Sequence, residues 1–403
     1  MSAGTILLAL FAFAGALHLL FGGVLATTAA DEMQFALLAF VQFSEVSADS
    51  WLLGSVIALQ RNDRADEEAL RIDPSSTLSA PPQPRSEAIR GDLAPCASTL
   101  FQEPWWLDAV APGCWNAVEV VEDGEIVGRL PFVCKRRLGL TILSQPVLTP
   151  YLGPWVKPGT GEIHTQLERE HETLRSLIAA LPKHDVFMQS FHHSITNCLP
   201  FHWYGFSQES CYTYIIDDLS DHDKIWYGFR ETVRGHIRKA QKQVIVRPVE
   251  DIEAFIVLNR MTYERQGISA AYSADTIRRL DAACSPRGVR RILLAEGADG
   301  TPHAALYLIW DSESAYSLMS GSDPRLRSSG AISLLRWEAL KYARQVTRRF
   351  DFEGSMLQPI ERFVRAFGAR PVPFAHLKRG STLKGQLALI AHQIRESRHH
   401  RVA

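Results

Sequence analysis

Apolar residues between positions 314 and 355 are spaced in a way that predicts a strand, a helix and a second strand. The run SAYSLMSG is short and mostly apolar, and it ends at glycine and then Asp-Pro, which is typical of a buried strand leaving its sheet. From Ile332 the apolar positions recur every three or four residues, which is the period of a helix with one buried face. The segment FDFE follows, with phenylalanines at alternate positions.

Phe350 and Phe352 fall on one face of the predicted second strand, and Asp351 and Glu353 fall on the other. Two strands joined by one helix of this length must run parallel, so the loop that enters the helix lies at the carboxyl edge of the sheet. Ligands of open α/β sheets bind at that edge. The stretch therefore predicts a functional site as well as a strand-helix-strand unit.

The remaining pattern predicts two successive sets of elements in the same order. Each set begins with helical sequence, continues with an antiparallel meander and ends with alternating helices and strands. The first set starts near Leu100 and contains a hairpin about the Asp-Gly pair at 123–124, and a long helix is predicted over 223–243. The second set comprises helices over 249–267 and 272–284, a three-strand meander over 290–321, the Ile332 helix, the FDFE strand, a helix over 359–368 and a strand over 369–378.

We expect five segments along the chain: an apolar leader at 1–60, a disordered linker at 61–95, folded domains at 96–245 and 246–385, and a basic tail at 386–403. Residues 3–30 are uncharged and long enough to cross a bilayer, but no Lys or Arg precedes them as in a signal peptide. The linker is charged and then rich in proline and serine, so it cannot bury a core. The expected location is cytoplasmic, with the leader either anchoring the protein to the inner membrane or forming an extension or start-site artefact.

Composition adds little to this picture. The chain has 403 residues, of which 46% are apolar and 22% charged, as is ordinary for a globular protein. Residues 1–90 hold 5 of the 43 Lys and Arg and 10 of the 44 Asp and Glu, which leaves 38 against 34 in the remainder. A body with so small a positive excess is not a duplex DNA-binding protein.

The cysteines and histidines do not predict a metal site. The six cysteines are scattered without a C-x-x-C pair, so reduced thiols are expected rather than disulfides or zinc ligands. The pairs His192-His193 and His399-His400 have no companion at ligand spacing. We interpret both as surface pairs and expect no metal cofactor.

The loop that enters the Ile332 helix has the composition of an anion-binding site. Its serines are natural N-cap residues, and its glycine would let a bulky anion approach the free amides of the first helical turn. An ordinary capped helix with two solvated arginines is the alternative explanation. The residues predicted to bind a phosphorylated cofactor are Arg325, Arg327, Ser328, Ser329, Gly330 and Ala331.

Cations recur every four residues along the predicted helix over 223–243. Such a column is self-repelling by about 0.2 to 0.5 kcal/mol per pair unless an anion neutralises it, and arginine is well suited to bind phosphate. A solvated face between domains is the alternative. The residues predicted to bind substrate are Arg230, Arg234, Arg238, Lys239 and Gln266.

Asp351 and Glu353 are the candidate general bases. An acceptor amine or hydroxyl must lose a proton when it attacks a carbonyl, and a partly desolvated carboxylate has a pKa closer to neutrality. An ion pair with Arg362 or Arg365 is the alternative role for either carboxylate. Tyr263 is a candidate acid for a departing thiolate, as are Tyr272 and Tyr316. No nucleophile pattern suggests a covalent enzyme intermediate.

Three motifs together resemble one family. They are R-x-x-x-R-x-x-I-R-K-A at 230–240, Y-E-R-Q-G at 263–267, and F-D-F-E-G-S followed by R-F-x-x-x-F-G within 350–368. With the element order, they make the chain from about Leu100 to Lys378 similar to GNAT-fold acyltransferases of the FemAB-like and BioF2-like acetyltransferase type. The resemblance implies an α+β fold with two GNAT-like domains in tandem.

The resemblance also implies a transferase acting in cell-envelope or polysaccharide biosynthesis. It implies N- or O-acyl transfer to a sugar, a polysaccharide or another glycan-linked or lipid-linked envelope precursor, with acyl-CoA or acetyl-CoA as co-substrate. The long helical arm of several aminoacyl-tRNA-using members is missing from the sequence, which favours acyl-CoA over a tRNA donor. The alternatives are an aminoacyl-tRNA-dependent peptidoglycan-type transferase and a non-catalytic binding subunit of an envelope polysaccharide system.

Overall fold

The structure is a computed structural model that describes residues 96–354 and 356–402. The predictions made for residues 1–95, including the leader with its membrane segment and the linker, lie outside the described residues. Among the helices that are described, none combines the length and the hydropathy that are needed to cross a membrane.

The described chain forms the following α-helices and β-strands. The helices are α1 (Pro104–Val110), α2 (Ile163–Ala180), α3 (Leu199–Trp203), α4 (His222–Gly228), α5 (Glu231–Ala240), α6 (Glu253–Gln266), α7 (Ala274–Cys284), α8 (Ala331–Ala343), α9 (Gln358–Arg365) and α10 (Leu383–Val402). The strands are β1 (Trp115–Glu122), β2 (Glu125–Arg137), β3 (Leu140–Ser144), β4 (Trp155–Val156), β5 (Val186–Ser190), β6 (Ser207–Ile216), β7 (Val244–Val249), β8 (Arg290–Gly297), β9 (Pro302–Trp310), β10 (Ser314–Ser322), β11 (Arg349–Asp351) and β12 (Arg370–Gly380).

The strands form one sheet in the order β1-β2-β3-β5-β12-β6-β11-β10-β9-β8-β7, with β4 beside β2. The last strand in sequence, β12, lies between β5 and β6 and pairs antiparallel with both. Strand β6 in turn pairs antiparallel with β11, so the two halves of the chain meet there. The domain boundary between 245 and 246 stays a prediction.

The strand-helix-strand unit is confirmed. Strands β10 and β11 are parallel, with Tyr316 opposite Asp351, and α8 connects them. The hairpin of β1 and β2 is also confirmed, because Asp123 and Gly124 have φ values of 50° and 83°. Two consecutive residues with positive φ make the tight turn that matches the twist of paired strands, and Asp-Gly adopts it readily.

The prediction of one continuous helix over 223–243 is wrong. The chain forms α4 and α5 there, with Phe229 and Arg230 in extended conformation between them. The Arg230 N–H donates to the carbonyl of Ala366 over 2.9 Å. This contact with the turn after α9 interrupts the helix although the apolar period of the sequence continues.

Two further elements differ from the expectations. Strand β7 was not predicted, although it pairs along its length with β8 and turns the predicted three-strand meander into four strands. Buried and exposed side chains alternate only weakly along β7, because this strand lies at the edge of the sheet. The segment predicted as a basic tail is helical, since α10 extends to Val402.

Helices cover both faces of the sheet. Helices α4, α5 and α8 pack with the residues around α9 on one face, where Phe350 and Phe352 lie. Helices α1, α6 and α7 pack on the other face, beneath Tyr151 and Tyr316. The predicted alternation is therefore confirmed for Phe350, Asp351 and Phe352, whereas Glu353 lies beyond the end of β11. Asp351 points to the second of these faces, where its side chain meets Tyr151.

Candidate functional site

Asp351 lies at the end of β11 and is only 1% exposed. The Tyr151 hydroxyl donates to its Oδ2 over 3.2 Å, and the Thr213 hydroxyl donates to its Oδ1. The backbone N–H of Glu353 donates to the same Oδ1 over 2.7 Å. Asp351 thus has three hydrogen-bond donors, and no lysine or arginine of the described chain forms a salt bridge with it. The alternative ion pair with Arg362 or Arg365 does not form.

Burial raises the pKa of the Asp351 carboxyl to about 6, although the hydrogen bonds from Thr213, Glu353 and Tyr151 act in the opposite direction. Desolvation disfavours the charged form of an acid, whereas donated hydrogen bonds favour it. The desolvation is the larger effect here because no cation compensates it. A buried carboxyl with a pKa this close to neutrality is a candidate for proton transfer.

Glu353 follows two residues later, and its backbone is in the left-handed region, with a φ of 52°. A non-glycine residue in this conformation costs about 1 kcal/mol or more and persists only where surrounding contacts hold it. The contacts are the bond from its N–H to Asp351 and the bond from Gly354 N–H to the Thr213 hydroxyl, at 3.1 Å.

The Glu353 side chain has an unsatisfied oxygen. Its Oε1 is buried and makes no hydrogen bond with the described residues. Burial, and then the charge of Asp351, hold the pKa of Glu353 well above its usual range. A buried acceptor without a partner is unfavourable unless a ligand supplies a donor. Glu353 is therefore the carboxyl best suited to face an acceptor group.

Tyr263 and Tyr272 lie near the carboxyl pair. Their hydroxyls are 3.1 Å apart, and that of Tyr272 is 3.4 Å from Oδ1 of the buried Asn259. Burial is the main reason that the pKa of Tyr272 is raised, and the charge of Glu353 adds to the effect. Tyr263 is thus hydrogen-bonded to Tyr272, and its link to the acidic pair is the effect of the Glu353 charge on Tyr272. Tyr316 instead donates to Asp311 over 3.3 Å within the core.

The residues that the sequence did not single out come from the first half of the chain. Tyr151 follows β3, and Thr213 lies in β6, whose pairing with β11 brings it to Asp351. In the sequence, Tyr151 is a tyrosine in a predicted loop, and Thr213 is a threonine in a predicted strand with alternating apolar residues. Neither signal indicates a partner 138 or 200 residues away in sequence.

The expectation that His192 and His193 form a surface pair is wrong for His192, which is 7% exposed. The two rings are 3.9 Å apart, and the ring of His192 lies 5.4 Å from that of Tyr151. Burial lowers the pKa of His193 to about 4 and holds that of His192 well below its usual range, so both are neutral at pH 7. The side chains of the pair at 399–400 lie outside the described residues.

The predicted cofactor-binding loop forms a turn of 3₁₀ helix before α8. Arg325 pairs with Asp323 over 2.7 Å, while Arg327 and Ser328 are exposed. The buried Ser329 accepts a 3.3 Å hydrogen bond from the N–H of Ala331. The loop thus presents three exposed residues, Arg325, Arg327 and Ser328, while Gly330 is the N-cap of α8 and Ala331 is its first residue.

Gly330 has a role in helix packing that the sequence did not predict. Its φ is 79°, and a Cβ there would lie 2.6 Å from the carbonyl oxygen of His236 in α5. The missing side chain is therefore required for the packing of α8 against α5. The Lys239 ammonium, also on α5, donates to the Ser328 carbonyl, so one predicted substrate-binding cation lies at the loop.

The remaining predicted substrate-binding residues are not brought to Asp351. Arg234 donates to Glu231 and, over 2.8 Å, to the carbonyl of Phe229 beyond the end of α4. Arg238 pairs with the same glutamate over 2.8 Å. The repulsion along the cation column is thus relieved within α5 itself. Arg230 lies exposed at the start of α5, and Gln266 lies exposed at the end of α6.

The described cysteines are all free thiols. In the part of the chain that the structure describes, no three His, Cys, Asp or Glu side chains converge so as to hold a metal ion.

Residues 228–357 match the family model of the acetyltransferase (GNAT) domain. The match includes the loop before α8 and both carboxyls of the candidate site. A comparison with curated protein sequences finds no significant match.

The solved structure of FemX has a similar fold, with a TM-score of 0.52 and 15% sequence identity, over 68% of this chain and 91% of FemX. The C-terminal domain of a putative lysylphosphatidylglycerol synthetase from Agrobacterium fabrum aligns with a TM-score of 0.47 and 14% identity, over 73% of this chain and 92% of that domain. A tandem GNAT protein from the clavulanic acid biosynthesis pathway aligns with a TM-score of 0.43 and 14% identity, over 69% and 86% of the two chains. The family match and the fold of FemX confirm the predicted α+β GNAT fold.

Proposed function

We propose that the chain is a transferase of the FemAB-like type and that it transfers an acyl group from acyl-CoA or acetyl-CoA to an amine or hydroxyl of a sugar, a polysaccharide or another cell-envelope precursor, because residues 228–357 match the GNAT domain and the fold is similar to that of FemX. The observation that supports this proposal best is the pair formed by the buried Asp351 and the partly buried Glu353, which has no cation partner among the described residues. Two such carboxyls at the carboxyl edge of a parallel strand pair are suited to take a proton from an incoming nucleophile.

Glu353 acts as the base in this proposal. At neutral pH Asp351 is largely ionised because its pKa is about 6, and burial together with the Asp351 charge holds the pKa of Glu353 well above its usual range, so the ionised fraction of Glu353 is the form that acts as base. The acceptor nitrogen or oxygen attacks the thioester carbonyl while its proton moves to ionised Glu353. The carbon–sulfur bond then breaks, and the thiolate takes a proton from Tyr263. Glu353 afterwards releases its proton to solvent and Tyr263 regains one, which restores the enzyme. No covalent bond to the enzyme forms.

The donor's phosphates bind at the start of α8, next to Arg327, Ser328 and Lys239. The exposed Arg327 and Ser328 are accessible to a ligand, and the first turn of a helix attracts anions through its free amides. Arg325 contributes less in this proposal, because Asp323 already neutralises it. The transfer requires no metal in this scheme.

Release of coenzyme A from acetyl-CoA in the presence of amino sugars tests the proposal. The wild-type chain should release the thiol only when an acceptor is present, and Glu353→Gln should lower turnover by about 10²- to 10⁴-fold, as expected for loss of a general base. Glu338→Gln is the matched control, since Glu338 pairs with Lys341 on α8 and should keep full activity. Full activity of Glu353→Gln, or unfolding of this variant, would reject the catalytic role.

An aminoacyl-tRNA donor is the second candidate, because the FemAB resemblance implies either donor. In that case amino-acid transfer would be abolished by ribonuclease, and coenzyme A would not bind. A non-catalytic binding subunit would show neither transfer nor heat on titration with coenzyme A.

A further inference from the structure

A groove lies between the C-terminal end of α8 and the strands β7 and β8 at the edge of the sheet. Its volume is about 320 Å³, and small molecules bind in sites of about 300 to 1,000 Å³. The strands contribute Val246, Pro248, Arg291 and Leu293 to its lining, and the end of α8 contributes Tyr342 and Gln345. The groove therefore has room for a small ligand.

This groove is separate from the candidate catalytic site. Leu293 belongs to the core on the face of the sheet that α8 covers, whereas the Asp351 carboxyl meets Tyr151 on the other face. Strands β9 and β10 also lie between β8 and β11. The loop before α8 is at the opposite end of that helix. A ligand in the groove would thus contact none of the residues assigned above to acyl transfer.

Arg291 brings a positive charge without an anionic partner to the groove. Its guanidinium carbon lies 3.9 Å from the centroid of the Tyr342 ring. Its Nε is buried and donates no hydrogen bond, and the side chain forms no salt bridge within residues 96–354 and 356–402. An aromatic ring attracts the charge but is a poor hydrogen-bond acceptor. The N–H donors of Arg291 therefore still require an acceptor.

The charges around the groove favour a ligand with a single negative charge. Lys341 and Glu338 also line the groove, but they neutralise each other over 2.7 Å, so Arg291 supplies the one uncompensated charge. A carboxylate matches that charge and accepts two parallel hydrogen bonds from a guanidinium. A phosphate monoester carries about −1.5 to −2 and would add negative charge beside Glu338. Val246, Pro248 and Leu293 offer an apolar surface to the rest of the ligand.

We propose that this groove is a second binding site, which takes a small organic acid. Its carboxylate pairs with the Arg291 guanidinium, and its apolar body lies against Val246 and Leu293. Tyr342 holds the guanidinium in place by contact with its ring, and this contact leaves hydrogen-bond donors of Arg291 available to the ligand. Binding at this site requires neither coenzyme A nor an acyl acceptor, so it does not depend on the proposed function.

Isothermal titration of the full chain with benzoate, benzamide and phenyl phosphate tests the proposal. The three probes share one aromatic ring and differ in the charge of the attached group. Wild type should bind benzoate with a Kd of about 1 mM or tighter, as is reasonable for a ligand of this size. Benzamide should bind at least about 10-fold more weakly because it lacks the charge. Phenyl phosphate should bind no more tightly than benzoate.

Substitutions of Arg291 show whether benzoate binds in the groove. Arg291→Met should bind benzoate about 10- to 100-fold more weakly than wild type, as expected for loss of hydrogen bonds from a charged donor. Arg291→Lys keeps the charge without the planar pair of donors and should fall between the two. Arg247→Met is the matched control and should bind as wild type does. Arg247 follows Val246 on β7, so its side chain points to the opposite face, and it pairs with Glu296.

Thermal unfolding of the same proteins shows whether they fold, and benzoate should raise the melting temperature of wild type and Arg247→Met but not of Arg291→Met. Should Arg291→Met not fold, the weaker binding expected for Arg291→Lys carries the test. Equal benzoate affinity of wild type and the folded Arg291 variants would overturn the site, and so would failure of wild type to bind benzoate. Equal binding of benzamide, or tighter binding of phenyl phosphate, would overturn the assignment of the ligand as a carboxylate.

Discussion

Three hydrogen-bond donors do not compensate the burial of Asp351. The pKa of its carboxyl rises from 3.8 to about 6, and a shift of that size corresponds to about 3 kcal/mol of lost stability once the group is ionised. The protein therefore keeps a charged group at a position where a neutral one would be more stable. Such a cost is typical of groups retained for chemistry.

Replacing Asp351 by asparagine should stabilise the protein at pH 7.5 and lower its turnover. The folded pKa is above the unfolded value of about 3.9, so the acid form is favoured by folding below about pH 4, and this advantage is lost as the pH rises through about 6. Urea denaturation should therefore show a gain of up to about 3 kcal/mol at pH 7.5 and little difference at pH 4. A variant that is less stable than wild type at pH 7.5 would contradict this expectation.

Tyr151→Phe should move the acid limb of the pH–rate profile to higher pH. The Tyr151 hydroxyl lowers the pKa of Asp351 by donating to it, so its removal leaves the ionised form less stabilised. We expect a shift of about one pH unit in kcat/KM, with small change in stability. Tyr227→Phe is the control, since Tyr227 is 73% exposed. An acid limb that is identical in Tyr151→Phe and wild type would show that the hydrogen bond from Tyr151 to Asp351 does not affect the reaction.

Among the elements, α8 is positioned by its contact with α5. Its preceding residue, Gly330, combines a positive φ with a close approach to the carbonyl of His236, so two separate requirements exclude a side chain there. The packing of the two helices therefore positions the start of α8, where the phosphates of the donor are proposed to bind.

Gly330→Ala should destabilise the fold by about 2 to 4 kcal/mol, because a methyl group adds a clash to the unfavourable backbone conformation. Gly139→Ala is the matched control, since Gly139 has a φ of 72° and a Cβ there would meet nothing within 4 Å. The control should cost about 1 kcal/mol, from the backbone alone. Urea denaturation of both variants measures the difference, and equal losses would show that α8 can move away from α5.

At the scale of the whole molecule, the candidate site needs both halves of the chain. Asp351 and Glu353 come from the second half, while Tyr151 and Thr213 come from the first. Strand β6 pairs with β11 and with β12, so the sheet continues through the site without an edge there. This continuity explains how the carboxyl of Asp351 is buried as deeply as a core residue.

The elements that the sequence predicted correctly share one property. The FDFE strand, the Ile332 helix and the Asp-Gly hairpin each depend on a period or turn within about fifteen residues, and local sequence controls such features. The break between α4 and α5 and the burial of His192 depend on distant contacts, with Ala366 and with Tyr151. No local period contains that information.

The sequence by itself determined the strand-helix-strand unit, the face on which Asp351 lies, and the GNAT-like order of elements, because backbone periodicity places side chains without reference to the rest of the chain. Only the tertiary structure decided that Asp351 and Glu353 have no cation partner among the described residues, and that Tyr151 and Thr213 donate to Asp351. The pKa of a group and its need for a partner depend on desolvation and on neighbouring charges. Both arise only when strands from the two halves of the chain pair in one sheet.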